Sequence, residues 1–494
     1  MFSEWLFLPQ AAVQYLGEPM VWLFLLLGTV CGFLVGVMPG LGPTMGMALC
    51  LGIVFKLPPA QGLALLVGIF VAAVGSGGIT ASLLNIPGTA AAAATCIDGY
   101  ALSRQGKSRE AAGYSVAASV IGTVAATVLI FLIQPFITAI ALKFGDWETF
   151  LFCLFGLLVC GSLSGASRAR GWLSALGGCF VAMCGADGVQ SVLRFTFGRP
   201  ELLSGVDSVV AMLGLFGIGE VLYTLGKPPS ARVWEEVGFP RVNLPVLLKN
   251  GVNILRSVLA GMWIGFIPGI GESAACWFSY DLAKRTSRQK ERFGHGSEEG
   301  IIAAETANNA SSVGALIPAL ALGIPGSSTV AMFLSAMYIL GFRPGPTLLL
   351  EAPGFLCGLC LLLLAAALAL GVVAFLCAPF AIKLLSLPEH LLMPFIAVLC
   401  AVGAYGTTNT PFALVQLAVF GLLGYLMKRF QYPIAPFVLG LLVGKTADTA
   451  LRRALMQYAG DFSGMLLRPF GLVILVVLSA LLVLGLKSGR RSKG

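Results

Sequence analysis

The sequence predicts an all-α, polytopic membrane protein, and three observations lead to that prediction. Of the 494 residues, 57% are hydrophobic and 11% are charged, whereas soluble globular proteins carry about 25% charged residues. The mean hydropathy is +0.92. Apolar runs close to the ~20 residues that cross a bilayer recur from Val21 to Leu486. Because transmembrane β-strands would alternate apolar and polar residues in short segments, we expect instead about 11 to 14 helical membrane segments.

Apolar segments and Pro-Gly pairs alternate in the first half of the chain. The predicted spans cover 21–38, 45–55, 62–84, 114–133, 149–163, 171–186 and 206–225. The first ends at Pro39-Gly40 and the third at Asn85-Ile86-Pro87-Gly88-Thr89. Since Pro removes a backbone donor and Gly lowers helix propensity, each pair should break a helix. Broken helices at membrane depth are tolerated where the freed backbone groups are buried in protein or line a wet cavity.

The second half repeats the motifs of the first half in the same order. The matches are Gly36-x-x-Pro39-Gly40-x-Gly42 with Gly265-x-x-Pro268-Gly269-x-Gly271, Asn85-Ile-Pro87-Gly88-Thr89 with Gly323-Ile-Pro325-Gly326-Ser327, and Glu148 with Glu389. Three matches in register indicate an internal duplication. We therefore divide the chain into a first transmembrane repeat over residues 1–225, a polar linker over 226–250, and a second repeat with C-terminal spans over 251–494.

The relative orientation of the two repeats is a separate question. By analogy with other secondary transporters, we favour an inverted arrangement. Inversion is expected to place the basic loops 103–110 and 284–300 on opposite faces of the membrane. In the second half, further spans are predicted over 355–378, 391–404, 412–426, 432–444 and 468–486, with 445–461 as an interfacial connector.

The net charge of +9 arises from basic residues in short loops and at the C-terminal tail. The densest cluster holds Lys284, Arg285, Arg288, Lys290 and Arg292. This is the positive-inside pattern of membrane proteins, and anionic lipid headgroups explain it. We therefore expect membrane lipid, and no nucleic acid, as the partner of these charges.

Motifs for catalysis and for metal binding are weak in this sequence. It has no His-Glu-x-x-His motif, and only two histidines are available to pair with a nucleophile. Cys357 and Cys360 have the spacing of a redox or metal pair, but Leu-rich sequence surrounds them and no second pair accompanies them. We interpret them as buried apolar side chains. The expectation is a protein that is not an enzyme and that has no metal site.

The Pro-Gly breaks are followed by hydroxyl side chains, which indicates an anion-binding site. A helix that restarts after a break presents unpaired N–H groups and the positive end of its dipole, and both favour an anion. The predicted substrate-binding set is Gly40, Gly42, Thr44, Asn85, Gly88, Thr89, Gly269, Gly271, Asn308, Asn309, Gly326, Ser327 and Ser328. The alternative is that Gly and Pro only let helices kink and pack closely.

A second polar group, Glu305, Asn308 and Asn309, opens a predicted span. Asn carbonyls are hard ligands for a small cation, so these residues are the candidates for cation coupling. Interhelical hydrogen bonding is the alternative. Glu272 abuts a helix restart, where a carboxylate suits the dipole, and we interpret it as a helix cap. Further candidates for ion or proton coupling are Glu220, Asp187 and Asp98.

Several long motifs occur in order through nearly the whole chain. They are Pro39-Gly40-Leu-Gly42-Pro43, Leu83-Leu84-Asn85-Ile-Pro87-Gly88-Thr89, Asp98-Gly99-Tyr100, Pro268-Gly269-Ile-Gly271-Glu272, Ser279-Tyr280-Asp281, Glu305 to Asn309, Leu322-Gly323-Ile-Pro325-Gly326-Ser327 and Pro344-Gly345-Pro346. This combination resembles the large permease subunit of the tripartite tricarboxylate transporters (TctA-like). One departure is the stretch Gly75-Ser76-Gly77-Gly78-Ile79-Thr80, where the family usually has Tyr-Gly-Gly-Ser-Ile.

The resemblance implies a multi-pass importer of the bacterial cytoplasmic membrane that takes up citrate-like tri- and dicarboxylates. It also implies coupling to Na⁺ or H⁺ without any other cofactor, and an elevator-like alternating-access mechanism. The implied protein partners are a small integral-membrane subunit and an extracytoplasmic solute-binding protein. The competing hypothesis is a non-transport membrane protein, a scaffold or an intramembrane enzyme, in which the broken helices serve packing only.

Overall fold

A computed structural model describes most of the chain, and most of the described chain is helical. The described residues are 6–38, 41–85, 87–141, 145–163, 168–226, 238–267, 271–345, 348–352, 354–385, 389–458, 462–476 and 478–479. The described strands form one short antiparallel pair, β1 (Gly185–Ala186) with β2 (Leu193–Arg194). Within these residues, six helices are long and apolar enough to cross a membrane by length and composition. The prediction of an all-α polytopic membrane protein is confirmed.

The described residues of the first half form ten α-helices. They are α1 (Leu8–Leu16), α2 (Pro19–Val37), α3 (Gly42–Val54), α4 (Pro59–Leu84), α5 (Ala93–Leu102), α6 (Ser108–Ala141), α7 (Asp146–Leu163), α8 (Arg168–Ala182), α9 (Ser208–Met212) and α10 (Gly219–Leu225). Short π-helical segments join α5 to α6 over Ser103–Lys107 and α9 to α10 over Leu213–Ile218.

In the second half, the part of the chain that the structure describes forms twelve α-helices. They are α11 (Leu244–Lys249), α12 (Gly251–Phe266), α13 (Gly271–Thr286), α14 (Glu298–Gly314), α15 (Leu316–Leu322), α16 (Ser328–Ile339), α17 (Leu348–Glu351), α18 (Phe355–Leu385), α19 (Glu389–Thr408), α20 (Phe412–Arg429), α21 (Ile434–Tyr458) and α22 (Phe462–Leu466).

The predicted connector over 445–461 is wrong for most of its length, because α21 continues through it to Tyr458. The polar end of this helix packs against the loop that follows α8. There Asp448 pairs with Arg194, and Arg452 pairs with Asp187. These ion pairs give the charged part of the helix a partner within the protein, so it does not need to lie flat at the interface.

Helix α4 forms the centre of the bundle, and every side chain from Gly62 to Ser82 is buried. It is apolar on all faces, as expected of a helix that other helices surround. Helix α2 packs closely on α4 at its glycines. A Cβ on Gly28 would lie 2.2 Å from the carbonyl oxygen of Leu65, and a Cβ on Gly36 would lie 2.3 Å from that of Ala73. From the first contact pair to the second, the residue number rises in both helices, so α2 and α4 run parallel.

Helices α2 and α3 form a hairpin that enters and leaves at one end of the bundle. Gly62, at the start of α4, contacts both Val54 at the end of α3 and Leu340 after α16. Since α2 starts beside the start of α4, the hairpin returns to the end where it began. The residues at its other end, Val37 and Leu41, are buried inside the bundle.

Helices α12 and α13 form the corresponding hairpin in the second half. Gly261 packs on the backbone of Ala307 and Gly265 on that of Ser311, so α12 runs parallel to α14. Helix α13 returns beside α12, and the hydroxyls of Ser279 and Ser257 are 2.9 Å apart.

The two hairpins enter from opposite ends of the bundle. Asn308 of α14 donates to the carbonyl of Val74 in α4 at 3.4 Å, and Gly78 of α4 packs against the carboxylate of Glu305. Sequence number rises along α4 as it falls along α14, so these two helices are antiparallel. Helix α2 runs parallel to α4, and helix α12 runs parallel to α14. The two hairpins therefore point in opposite directions.

Other packing pairs of the first half also have counterparts in the second. Helix α4 packs on α18 as α14 packs on α6, and α8 packs on α21 as α20 packs on α10. The basic loops 103–110 and 284–300 nevertheless lie at the same end, because Gln105 donates to the carbonyl of His295 at 2.8 Å. The expectation that inversion separates these loops is wrong. By order along the halves, the counterpart of 284–300 is the connection 55–58 between α3 and α4.

Candidate functional site

The broken helices of both halves meet at a cavity of about 530 Å³. Residues 41–45 and 87–89 contribute from the first half, and 271–273 and 327–329 from the second. Among the described residues that line it, none is Lys, Arg or His. The polar part of the lining therefore consists of backbone, hydroxyl and amide groups, together with two carboxylates, Glu220 and Glu272, and the rest of the lining is apolar.

Four helical segments begin at this cavity. α3 starts at Gly42, α13 at Gly271 and α16 at Ser328, and the 3₁₀ turn Ala90–Ala92 that leads into α5 starts just after Thr89. The first N–H groups of a helix have no partner within it. These groups and the aligned peptide dipoles make each start a favourable place for an anion.

The sequence folds in this way because glycine occupies positions where a side chain would strain the backbone or would clash. Gly42 and Gly271 both have positive φ, at 61° and 74°. Gly88 and Gly326 lie directly on a backbone carbonyl: a Cβ there would be 2.2 Å and 2.6 Å, respectively, from the carbonyl oxygens of Gly36 and Gly265. The motifs matched in the sequence thus make the same close approach twice, once in each half.

Most of the predicted substrate-binding residues meet at the cavity. Those that line it are Gly42, Thr44, Gly88, Thr89, Gly271, Asn308, Ser327 and Ser328. Gly326 packs on Gly265, next to the lining residues. Gly40 and Gly269 lie outside the described residues.

Two predicted residues are placed elsewhere. Asn85 is exposed and ends α4 in a left-handed conformation (φ 56°), so its role in the structure is a C-cap. Asn309 is buried beneath the cavity. It donates to the carbonyl of Glu305 at 3.1 Å and accepts from the hydroxyl of Thr123 at 3.4 Å. Its contacts are those of the interhelical alternative.

Glu272 has a larger role than its sequence interpretation as a cap. It lines the cavity, and its carboxylate accepts a 2.8 Å hydrogen bond from the hydroxyl of Ser327, which also caps α16 by accepting from the N–H of Val330. The position that matches it in the first half is Pro43, next to the paired Gly42. This asymmetry between otherwise matching motifs was the available signal.

Residues outside the two broken motifs complete the wall. Phe216, from the π-helical segment that joins α9 to α10, and Glu220 of α10 line the cavity together with Leu439 of α21. Glu220 also forms an ion pair with Lys428 of α20. The sequence offered Glu220 as a coupling candidate but gave no sign of Phe216 or Leu439, which ordinary apolar sequence surrounds.

Glu305 lies in a closed polar pocket beside the cavity and is fully buried. Its carboxylate accepts from the hydroxyl of Thr95 at 2.5 Å, from that of Ser119 at 3.2 Å and from the amide of Asn308 at 3.5 Å. Within the part of the chain that the structure describes, no basic side chain forms an ion pair with it. A buried carboxylate without a basic partner requires a proton or a cation to lower its cost.

Asp98 connects the two halves at the basic end of the bundle. One of its oxygens accepts from the N–H groups of Gly294, Gly296 and Ser297 at 2.8, 3.0 and 2.9 Å, and the other accepts from the hydroxyl of Tyr280 at 2.8 Å. The contact joins α5, which starts at the cavity, to the loop between α13 and α14. Asp98 is fully satisfied by these partners and lies away from the cavity lining.

Comparison with known proteins gives a consistent picture. Residues 22–439 match the tripartite tricarboxylate transporter TctA family. An uncharacterised 52.8 kDa protein from the TAR-I ttuC′ 3′ region of Agrobacterium vitis is 34% identical over 478 residues, covering 96% of this chain and 94% of that protein. An uncharacterised protein from the TAR-II ttuC′ 3′ region of the same organism is 31% identical over 233 residues, covering 47% of this chain and 96% of that protein. No solved structure matches this chain.

Proposed function

The chain belongs to the tripartite tricarboxylate transporter TctA family, and from this premise we propose that it is the large permease subunit of an importer of citrate-like tri- and dicarboxylates. It is a multi-pass membrane transporter subunit. We place it in the bacterial cytoplasmic membrane, where a small integral-membrane subunit and an extracytoplasmic solute-binding protein would complete the transporter. It acts by moving its substrate and catalyses no reaction.

The observation that carries this proposal is the meeting of four helix starts at one cavity. Each start offers N–H donors and a positive dipole end to an anion. The hydroxyls of Thr44, Thr89 and Ser328 add donors at the same places. A carboxylate held by such groups loses its water without forming a permanent ion pair, which suits a site that must also release it.

The packing alternative explains only part of the geometry. Close approach accounts for Gly88 and Gly326, which no larger residue could replace. It does not account for hydroxyl side chains that line an open cavity at the matching positions Thr89 and Ser327. A scaffold would gain stability if such a cavity were filled by apolar side chains.

We infer that the two halves are an inverted duplication and that they support alternating access. The antiparallel α4 and α14, the oppositely directed hairpins and the recurring glycine contacts support this inference. Inverted repeats with substrate held at broken helices are the usual basis of alternating access in secondary transporters. The wall residues Phe216 and Leu439 belong to segments outside the hairpins. An elevator-like mechanism would move the hairpins and their substrate past these segments.

Coupling to Na⁺ or H⁺ is the remaining element of the proposal. Glu305, Asn308 and Asn309 are adjacent, buried and in contact with one another through Glu305. Both polar atoms of the Asn309 side chain have protein partners, so in this proposal it positions the helix. The carboxylate of Glu305 and the side-chain carbonyl of Asn308 are the groups that can interact with a coupling cation, H⁺ or Na⁺.

Uptake into cells tests the proposal. Labelled citrate and other di- and tricarboxylates are offered to cells that express this chain with its two partner subunits, with and without a sodium gradient. We expect gradient-dependent uptake that Ser328→Ala reduces. Ser335→Ala is the matched control, because Ser335 lies on the same helix and, among the described residues, its hydroxyl bonds to the carbonyl of Ala331 alone. Equal uptake by both variants would remove Ser328 from the site, and no uptake of any carboxylate would overturn the function.

A further inference from the structure

Glu272 presents a conflict in a cavity that takes carboxylates. Its carboxylate lines the cavity, and no Lys, Arg or His is present among the described lining residues to neutralise it. Two like charges that share a site of low dielectric repel each other strongly. An anionic substrate therefore requires an additional positive charge next to Glu272.

Oxygen atoms are already gathered around this carboxylate. The hydroxyl of Ser327 bonds to it at 2.8 Å, and the buried hydroxyl of Ser312 lies within hydrogen-bonding reach of it. The oxygen of Ser312 is in turn 3.1 Å from the backbone carbonyl oxygen of Asn308. Glu272, both serines and the backbone carbonyl of Asn308 thus form one continuous polar cluster, and the side chain of Asn308 lines the same cavity.

An independent feature of Asn308 indicates a ligand. Asn308 is fully buried and lines the cavity, and its carbonyl oxygen Oδ1 has no hydrogen-bond partner. A buried acceptor without a donor costs about 1–3 kcal/mol. A helix cap at Glu272 leaves this acceptor unexplained, whereas a cation bound in the cluster would satisfy it.

We propose that the coupling cation binds in this cluster, held by Glu272, Ser327 and Asn308, and that it bridges Glu272 to a carboxylate of the substrate. The proposal rests on the proposed function and adds to it the place and the order of binding. The cation binds first, because the substrate's charge is repelled until Glu272 is neutralised. The cation then supplies the positive charge that the lining itself lacks.

The donor chemistry selects a monovalent alkali cation, and we commit to Na⁺. All the donors are oxygens, and a single carboxylate balances a single positive charge. Divalent cations in protein sites usually recruit several carboxylates. Within the described residues there is no group of three or more His, Cys, Asp or Glu side chains that could hold a metal ion. Glu305 lies in a separate pocket, and in this proposal a proton, not Na⁺, neutralises it.

Equilibrium binding of ²²Na⁺ to the purified full-length chain in lipid nanodiscs, without substrate, tests the site. We expect saturable binding by the wild-type protein and a loss of affinity of about 10-fold or more in Glu272→Gln, since even outer-shell partners are worth about 10- to 100-fold in metal affinity. Glu272→Asp, which keeps the charge, should bind better than Glu272→Gln. Ser335→Ala is the control and should bind as the wild type does. Size-exclusion profiles and helical circular dichroism establish that each variant is folded.

Three results would overturn the site: no Na⁺ binding by the wild-type chain, unchanged binding by Glu272→Gln, or binding lost in Glu305→Gln and kept in Glu272→Gln. The last would assign the cation to the Glu305 pocket. Failure of the proposed function is read separately, in the uptake assay. Na⁺ binding that depends on Glu272, in a chain that imports no carboxylate, would support the cation site and overturn the substrate.

Discussion

The hydroxyl of Ser327 donates a 2.8 Å hydrogen bond to the carboxylate of Glu272. This bond joins the start of α16 to the start of α13 across the cavity, so it links the two broken motifs of the second half. Ser327 also accepts from the N–H of Val330 and thereby caps α16. One serine thus stabilises a helix and positions a charged group of the site.

Ser327→Ala should therefore have two effects. Loss of an N-cap costs about 1 kcal/mol of stability, and loss of the bond to Glu272 should weaken uptake beyond what that small destabilisation explains. Thermal unfolding in nanodiscs and uptake in cells measure the two effects. Ser327→Thr keeps the hydroxyl and should restore both in part. A variant with lower stability and normal uptake would limit the role of Ser327 to the cap.

Gly88→Ala and Gly326→Ala should each abolish uptake. The added Cβ would lie 2.2 Å or 2.6 Å from a backbone carbonyl oxygen, so the re-entrant segment must move away from Gly36 or Gly265. Because backbone, not a flexible side chain, is in the way, the neighbour cannot yield cheaply. Gly251→Ala is the control, since nothing lies within 4 Å of its Cβ position. Normal uptake by Gly88→Ala or by Gly326→Ala would contradict the close contact.

Asp98→Ala should release the basic loop between α13 and α14. Three N–H groups lose their acceptor, and each buried donor left unpaired costs about 1–3 kcal/mol. We expect faster cleavage by trypsin in the cluster Arg288, Lys290 and Arg292 in inside-out vesicles. The control is Asp281→Ala, which removes an exposed ion pair with Arg285 and should change little. Equal cleavage of the two variants would argue against the contact.

Gln105→Cys and His295→Cys should be labelled from the same side of the membrane. The side chain of Gln105 bonds to the backbone of His295, so both positions lie at one end of the bundle. The positive-inside rule places this end in the cytoplasm. Membrane-impermeant thiol reagents, applied to cells and to inside-out vesicles in a background without reactive native cysteines, measure the side. Lys56→Cys, at the opposite end, is the control. Opposite labelling of positions 105 and 295 would contradict the observed topology.

The loop after α8 should stay docked on α21 down to acidic pH. Burial acts to raise the pKa of Asp187, but the N–H groups of Val189 and Gln190, and then Arg452 and Arg194, outweigh it and hold the pKa below its ordinary value. A lowered pKa stabilises the folded state at neutral pH, and that contribution is lost as the pH falls below about 3.9 toward the folded-state pKa. Hydrogen exchange of residues 184–207 against pH measures the docking. Asp187→Asn should increase exchange already at neutral pH, and unchanged exchange would count against the ion-pair cluster.

Much of the candidate site could be predicted from local sequence. Pro-Gly pairs break helices whatever surrounds them, and the hydroxyls of Thr44, Thr89 and Ser328 follow directly on those breaks. The sequence match of Gly36 to Gly265 also holds in the structure, because the carbonyl of each is closely approached by the glycine of the second motif in its half, Gly88 or Gly326. The predictions that failed concerned residues that are far apart in sequence but in contact in the structure. The loops at Gln105 and His295 were expected on opposite faces, since the return of the chain between α4 and α5 cannot be recognised from hydropathy.

The sequence by itself determined that this is a helical membrane protein, where its helices break, and which donors follow the breaks. These properties depend on backbone chemistry within a few residues. Only the tertiary structure decided which donors meet. Asn308 and Asn309 are neighbours in sequence, but successive residues of an α-helix point about 100° apart, so one lines the cavity and the other bonds between helices. Likewise, Glu272 became part of the site because α16, which starts more than 50 residues later in the chain, returns to it.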